Sequence, residues 1–557
     1  MSPLALSPLT KRLRIALREP KIALALLLVV TAFAYRGNLT LGFTDTDAIA
    51  DVAYADVNSL ADLGNQLVVP LTGGVASTNA NFYRPVVMLQ FTALRAVFGW
   101  NPVGYQLWGI ALHLGAVSLL FLLARSWGMR LNAAIASAAI FALHPLGVEV
   151  VPAVARNIDS LLTVLILGML LAFKNGRSRW AIVLGLLAVC TKETAVAALP
   201  AGVLAAWWTG PKAQRKRVTL ETIGAWIVGV SAYLVARSHV LSGLGGYHDA
   251  HDTITLKGLT HMLKAAPWEM LFPGWTEPLL QTVPAGARLP GGILMAACGL
   301  AVMVWAVWKR DRSRTMGWAL LVLPIFLYGL TGTFSRRLLY LPTAGIALLL
   351  GQGLFNPCWK RSFQILSVLL TLSLLPASPL VHHYQGWAAN DRSTKALTSD
   401  LEAQFAALPK GSEVWLMDRP RRFSIEPYRL RTWNPIRSLN NGVAGYSLQA
   451  WLDDRFGEGH ITLHRMSSLE WVEGREKVDV AVDRDDILIV RKTEAGSKDR
   501  RIWLKAWRDG WDREIDGDLV RLKPRVNNNA CCLIVSDGEG AEWVEIPHAA
   551  RHQDAPE

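Results

Sequence analysis

The stretch VGYQLWGIALHLGAVSLLFLLA occupies residues 103–124 and contains no Asp, Glu, Lys or Arg. A helix needs about 20 apolar residues to cross the hydrocarbon core of a bilayer, and this stretch is long enough. Similar apolar runs recur before and after it, and 52% of the 557 residues are hydrophobic. This composition excludes an ordinary soluble globular protein and predicts a polytopic α-helical membrane protein.

We predict about eleven membrane spans, several of them shorter than the ideal length. They cover residues 20–36, 103–124, 131–146, 157–173, 179–191, 194–209, 219–238, 289–308, 317–332, 338–356 and 362–379. The first run follows a basic segment, as the apolar part of a signal peptide would. No small-residue cleavage site follows it, so a retained first helix is the better interpretation.

The basic residues predict which side of the membrane each loop faces. If the N-terminus lies inside and each span reverses the side, the basic clusters at 125–130, 174–179, 212–217, 309–314 and 360–361 are all cytoplasmic. Cytoplasmic loops of membrane proteins carry such an excess of Lys and Arg. The net charge of +13 is dispersed among these loops and therefore indicates topology rather than nucleic-acid binding. The exception is Arg336-Arg337, which falls on the outer side.

Asp45 and Asp47 lie soon after the first span, on the outer side. An acidic pair at the mouth of a membrane enzyme is suited to hold a general base. A solvated loop with ordinary carboxylates is the alternative that these residues alone leave open. The pair belongs to a long outer segment, roughly 37–102, whose later part from Val86 to Phe98 has apolar residues at helical spacing.

Further charged and polar side chains from separate loops fall at the same outer face. They are Arg84, His144, Glu149, Arg156, Asp159, Lys192, Glu193, Arg336 and Arg337. Charges near membrane depth are costly and usually face a cavity or one another, so this pattern predicts a binding cavity. A hairpin closed by Arg156 and Asp159, and a solvated turn at Lys192-Glu193, are structural alternatives. Two arginines on the outer side favour a phosphate ligand at the outer leaflet.

The composition changes after Leu380, where the chain becomes polar and carries short alternating runs. Such runs are typical of strands. We therefore predict two domains, a transmembrane domain over residues 1–380 and a soluble α+β domain over residues 381–557 on the outer side.

The ordered motifs of residues 20–380 resemble those of the polytopic type C glycosyltransferases. The similarity is closest to the transmembrane and tetratricopeptide-repeat O-mannosyltransferases and their bacterial relatives, which include enzymes of the lipid A aminoarabinose transferase type. The matching motifs are Asp45 and Asp47, Tyr83-Arg84-Pro85, Leu112-His113, His144-Pro145 with Glu149, Arg156 with Asp159, Lys192-Glu193, and Arg337 with Tyr340 and Pro342. Three features depart from this family. Thr46 separates the two acids, Asn157 replaces part of the usual Gly-Arg-x-Asp context, and the α+β tail stands in place of the repeats.

The resemblance implies an inverting transfer of a sugar from a polyprenyl-phosphate donor to an acceptor outside the membrane. Asp45 or Asp47 would be the base, and which of them serves stays open. Arg336, Arg337, Lys192 and Arg84 would bind the donor phosphate. The supporting and substrate-contacting residues would be His144, Glu149, Arg156, Asp159, Glu193 and Tyr340.

The implied partners are the membrane, a lipid-linked sugar donor and a protein, lipid or glycan acceptor. No cofactor is required and no metal ligands are assigned, although a divalent cation beside the acidic pair is compatible with the sequence. The implied location is the inner membrane of a bacterium, with the active site and the C-terminal domain on the periplasmic side. A transporter or flippase, and a surface-polysaccharide ligase or polymerase, are the alternative functions.

Overall fold

The structure is a computed structural model of the full chain. It describes residues 19–43, 47–72, 80–210, 212–243, 245–247, 266–267, 269–272, 311–330, 336–355, 361–381, 410–418, 445–466, 478–482, 487–491, 511–516, 519–524, 530–536 and 541–544, with single positions or pairs between 294 and 308 and between 387 and 406.

Helices form most of the described N-terminal part. The α-helices are α1 Pro20–Ala34, α2 Ala48–Ala53, α3 Leu60–Gln66, α4 Pro85–Phe98, α5 Pro102–Ser126, α6 Leu131–Ala142, α7 Gly147–Val150, α8 Asn157–Lys174, α9 Ser178–Thr191, α10 Leu199–Thr209, α11 Arg215–Leu241, α12 Arg312–Leu330, α13 Tyr340–Phe355, α14 Arg361–Leu374 and α15 Gly445–Phe456. Short 3₁₀ segments precede several of them, at Arg36–Thr40, Val154–Arg156, Glu193–Ala198 and Arg336–Leu339.

Four helical segments of the described chain are long and apolar enough to cross a bilayer. They are Pro102–Ser126, Val154–Lys174, Arg215–Leu241 and Arg336–Phe355. Helices also occupy six of the other predicted spans, and the remaining one, 289–308, lies largely outside the described residues. The prediction of a polytopic helical membrane protein is therefore confirmed, whereas the number of crossings stays a prediction.

Small residues allow these helices to approach each other closely. A Cβ atom at Gly351 of α13 would lie 2.7 Å from the carbonyl oxygen of Ala133 in α6 and would overlap Ser137 Oγ. A Cβ atom at Gly345 would meet the backbone of Gly317 in α12 in the same way. Lipid is as apolar as leucine, so close packing of this kind holds membrane helices together. The packing fixes α13, and with it the arginines of the preceding 3₁₀ segment.

The chain divides into two compact units. The first comprises Met1–Leu41, Ala55–Gln385 and Ile425–Pro435, and it contains the four long apolar segments. The second comprises Gly42–Tyr54, Gly386–Ser424 and Ile436–Glu557. The segment that carries Asp47 therefore groups with the C-terminal unit, whereas the sequence placed it in the first outer loop of the membrane domain.

Strands and helices both occur in the second unit. The strands are β3 Ser412–Asp418, β4 Ile461–Met466, β5 Val478–Val482, β6 Ile487–Arg491, β7 Trp511–Asp516, β8 Leu519–Pro524, β9 Ala530–Ser536 and β10 Ala541–Val544, after β1 Ala80–Asn81 and β2 Gly246–Tyr247 of the first unit. One sheet has the order β10-β9-β3-β4, and β3 runs parallel to both of its neighbours. The other is antiparallel with the order β5-β6-β8-β7. The solubility of this unit and its side of the membrane stay predictions.

Candidate functional site

The charged residues of the first unit stand where its helices begin or end. Arg84 immediately precedes α4, and Pro85 starts that helix. Arg156 precedes α8, and Lys192 ends α9 in an extended conformation. Arg336 opens the 3₁₀ segment before α13. The sequence therefore places these charges at the ends of helices rather than within the long apolar runs.

Glu193 joins two arginines from different helices. Arg84 donates to both of its carboxylate oxygens, with Nε 3.2 Å from Oε2 and Nη2 2.8 Å from Oε1. Arg237, near the end of α11, has Nη1 3.5 Å from Oε2 and also donates to Tyr233 Oη at 3.1 Å. Tyr233 in turn donates to the Tyr83 carbonyl at 2.8 Å. A two-pronged arginine contact fixes the direction as well as the position of both groups.

Lys192 forms a second ion pair, with Asp159 of α8. Its Nζ lies 2.5 Å from Asp159 Oδ1, and both side chains are buried. Burial lowers the pKa of Lys192 to about 8, and the charges of Arg337 and Arg84 act in the same direction, while Asp159 opposes them. The two arginines therefore lie close enough to Lys192 to act on its charge.

The pKa of Glu193 is lowered as well, but for a carboxyl group this shift favours the charged form. Burial by itself would raise the pKa of this carboxyl group, but the Arg84 and Arg237 guanidinium groups bring it down to about 2. Glu193 is consequently ionised at any physiological pH and holds both arginines as a fixed negative charge.

Glu149 organises the other half of the cluster. Arg156 Nη1 donates to its Oε2 and to its backbone carbonyl, both at 2.8 Å. Arg336 approaches Glu149 Oε1 at 4.0 Å and donates from Nη2 to Glu269 Oε1 at 2.9 Å. Burial raises the pKa of Glu269, and Glu149 adds to the rise while Arg336 opposes it. Arg336 is thus held between two buried carboxylates.

Among the described residues, this cluster contains six cations and four carboxylates. The cations are Arg84, Arg156, Lys192, Arg237, Arg336 and Arg337, and the carboxylates are Glu149, Asp159, Glu193 and Glu269. Two positive charges remain in excess in a region that is largely shielded from water. A site of this composition attracts an anion, and its guanidinium groups suit the oxygen geometry of a phosphate.

Two histidines connect backbone segments around the cluster. His144 Nε2 lies 2.9 Å from the Met270 carbonyl, and its Nδ1 accepts from the Leu146 amide at 3.2 Å. This bond holds the short helical piece that carries Glu269. His113 lies 3.0 Å from the Ala142 carbonyl through Nε2 and 2.5 Å from Tyr340 Oη through Nδ1. Both rings therefore bind neighbouring segments of the protein.

Two members of the cluster were not predicted from the sequence. Arg237 falls inside the predicted span 219–238. A charged residue within a span indicates a functional or paired group, so the sequence could have identified it. Glu269 lies between the predicted spans at 219–238 and 289–308, and it matches none of the motifs that the sequence singled out. It becomes visible only through its contact with Arg336.

Of the acidic pair, Asp47 belongs to the part of the chain that the structure describes. Asp45 lies outside the described residues, and Asp47 immediately precedes α2 in the second unit. No group of three or more His, Cys, Asp or Glu side chains that could hold a metal ion occurs in the described part of the chain.

Comparison with known proteins gives partial similarities. No protein-family model matches the chain. It is 32% identical over 174 residues to protein O-mannosyl-transferase Tmtc1 of Drosophila melanogaster, a match that covers 30% of this chain and 20% of the relative. The chain thus spans about a fifth of the length of that protein.

Two solved structures are similar over a longer part of the chain. They are ArnT from Cupriavidus metallidurans in the apo state and ArnT bound to undecaprenyl phosphate, at 12% and 13% identity with a TM-score of 0.31 for each. Both alignments cover 79% of this chain and 88% or 89% of the other. The match to the O-mannosyltransferase confirms the resemblance to the type C glycosyltransferases that the ordered motifs indicated.

Proposed function

We propose that the protein is an inverting glycosyltransferase that moves a sugar from a polyprenyl-phosphate donor to an acceptor on the extracytoplasmic side of the membrane. One observation carries the proposal, the cluster of six cations and four carboxylates at the helix ends of the first unit. The similarity to an O-mannosyltransferase supports the sugar chemistry.

The excess positive charge suits the change in charge that such a reaction produces. A polyprenyl-phosphate sugar is a phosphodiester with one negative charge. When the bond from the sugar to the phosphate oxygen breaks, the electron pair stays on the phosphate and a second negative charge develops. Cations already in place stabilise that charge in the transition state. Arg336, Arg337, Lys192 and Arg84 fill this role in our proposal.

The carboxylates of the cluster keep these cations in place. Glu193 orients Arg84, Asp159 orients Lys192, and Glu149 orients Arg336. Without such partners, long basic side chains would lose much of the order that makes them effective. Arg156 secures Glu149, and His144 secures the segment of Glu269. We assign positioning roles to all of these groups, and to Tyr340 through its contact with His113.

The acceptor needs a base. In our proposal, a carboxylate of the acidic pair takes the proton of the acceptor hydroxyl as that oxygen attacks the anomeric carbon from the face opposite the phosphate. The new bond to oxygen forms while the bond to the lipid phosphate breaks, so the configuration inverts. Asp45 and Asp47 are the two candidates. The acceptor is a protein, a lipid or a glycan, and the proposed location is a bacterial inner membrane with the site facing the periplasm.

The pH dependence of donor binding tests the cation cluster. Because the pKa of Lys192 is about 8, its positive charge is present below that pH and is lost as the pH rises through it. A phosphodiester stays singly charged over the same range. We therefore expect the dissociation constant of a polyprenyl-phosphate monosaccharide to rise by up to about tenfold per pH unit above the pKa. Equilibrium binding to the purified protein measures it.

Lys192→Arg is the matched control for this titration. Arginine keeps its charge at every pH of the experiment, so the variant should bind with a nearly constant affinity. The same decline in the wild type and in Lys192→Arg would contradict the assignment of Lys192 to the phosphate site, as would a pH-independent wild type.

A further inference from the structure

We propose that Asp391, in the C-terminal unit, is a positioning residue for the acidic segment that carries the candidate base. The inference rests on the proposed function, because it concerns the segment from which the base would act. The sequence alone indicates no role for the C-terminal unit, to which Asp391 belongs.

The buried carboxylate of Asp391 accepts a hydrogen bond from the backbone at Gly42, where the acidic segment begins. The Gly42 amide donates to Asp391 Oδ1 at 2.7 Å, and Asp391 is only 7% exposed. Its other oxygen, Oδ2, accepts from Lys395 Nζ at 2.6 Å. A hydrogen bond to an ionised acceptor is about twice as strong as one between neutral groups. Gly42 and Asp391 are 349 positions apart in the sequence, so the contact is specific to the folded chain.

The absence of a side chain at residue 42 makes this contact possible. A Cβ atom on Gly42 would lie 2.9 Å from Asp391 Oδ1 and 3.3 Å from Lys395 Cε. The first distance is shorter than real Cβ contacts, so any other residue would push Asp391 away from the amide. The contact between residue 42 and Asp391 therefore needs both the backbone amide and the small size of glycine.

The far end of the segment is anchored in the same unit. Asp47 immediately precedes α2, whose residues Ala48 to Val52 are all buried, and α2 packs against α15. Burial raises the pKa of Tyr54, which follows α2, and the charges of Asp453 and Glu458 contribute to the rise. Gly42 and α2, which flank Asp47 in the sequence, are thus both held within the C-terminal unit.

A segment that is fixed at both ends has less conformational entropy, so its base loses less entropy when the transition state forms. Displacement of a catalytic group by about 1 Å can cost on the order of a hundredfold in rate. Neither Gly42 nor Asp391 is among the proposed phosphate ligands, so loosening the segment should leave donor binding intact. Asp391 should therefore affect kcat and leave the KM for the donor nearly unchanged.

Three variants test this role, with hydrogen–deuterium exchange of the peptide covering residues 42–54 as a readout independent of activity. In Asp391→Ala the amide of Gly42 loses its acceptor, and we expect faster exchange and a fall in kcat of roughly tenfold to a hundredfold. Gly42→Ala should also speed exchange and lower kcat, because the added Cβ atom displaces Asp391 from the amide. Asp391→Asn keeps a carbonyl oxygen for the amide and should restore most of kcat.

Glu402→Gln is the control, because Glu402 pairs with Arg455 in the same unit at an exposed position. It should change neither exchange nor kcat. In the double variant Gly42→Ala/Asp391→Ala, the Asp391 carboxylate that would clash with the new Cβ atom is gone. The losses of kcat in the two single variants should therefore not add.

Each outcome decides a separate point. Unchanged exchange in Asp391→Ala and in Gly42→Ala would show that the contact does not anchor the segment. Faster exchange with an unchanged kcat would contradict the positioning role. A large rise in donor KM would place the effect at the phosphate site instead. If the wild type transferred no sugar at all, the proposed function would fail, while the exchange arm would still decide whether Asp391 holds the segment. Should Asp391→Ala not fold, Gly42→Ala and Asp391→Asn give the same comparison.

Discussion

Replacing the catalytic member of the acidic pair with asparagine is expected to lower kcat by about 10²–10⁴-fold, the contribution of a general base. Asparagine keeps the size of the side chain and its hydrogen-bonding oxygen but cannot take the proton of the acceptor. Asp45→Asn and Asp47→Asn, each measured for kcat and for donor KM, show which carboxylate serves. The other variant should show a smaller loss, consistent with orienting the acceptor.

Asp62→Asn is a suitable control, since Asp62 also follows the first span and stands in the first turn of α3. It should retain activity. Donor KM should stay constant in all three variants, because the phosphate cluster is unaltered. Full activity in both Asp45→Asn and Asp47→Asn would remove the acidic pair from the mechanism.

Glu149→Gln is expected to give the largest loss of stability, on the order of 3–5 kcal/mol in the free energy of unfolding. Glu149 is 2% exposed and faces both Arg156 and Arg336. The amide fills the same space but removes the negative charge that faces Arg156 at 2.8 Å and Arg336 at 4.0 Å, so that less negative charge balances the buried guanidinium groups. Chemical unfolding in detergent measures the loss, and the melting temperature should fall in parallel.

Glu221→Gln provides the matched comparison for this substitution. Glu221 pairs with Arg217 one helical turn away on α11, and both side chains are well exposed. Exposed ion pairs contribute little to stability, so no measurable change is expected. An equally small effect of Glu149→Gln would show that the buried cluster tolerates an unbalanced charge, and Glu149 would then not be needed to hold its arginines.

The helices were largely predictable from the sequence, because hydrophobic length and the charge of the loops constrain each other. An error in the number of spans would have reversed the side of every later loop. Helices stand at the predicted positions throughout the described part of the membrane unit. The helix within Val86 to Phe98 was also predicted, and the structure has it as α4.

The pairing of the charges was not predictable from order alone. Lys192 and Glu193 are neighbours, and the sequence placed them together in one motif. In the structure Lys192 pairs with Asp159 and Glu193 with Arg84. The backbone at Lys192 is extended, with φ −158° and ψ 127°, and consecutive side chains of an extended chain point to opposite sides.

Long-range contacts explain why the partners of the segment that begins at Gly42 could not be predicted from the sequence. Its position after the first span suggested a loop of the membrane domain. Its contacts with Asp391 and α15 come from residues hundreds of positions later, and no local pattern marks Gly42 as their partner. The same limit applies to Glu269, whose role depends on Arg336.

Release of free lipid phosphate tests the proposed sugar transfer most directly. Purified protein would be incubated with a polyprenyl-phosphate monosaccharide and a cell-envelope fraction as the source of acceptor. We expect free polyprenyl phosphate to appear in step with sugar on the acceptor, and the transferred sugar to have the inverted configuration. Movement of the intact donor across a vesicle membrane without cleavage, or transfer only from a lipid-linked glycan, would contradict this mechanism.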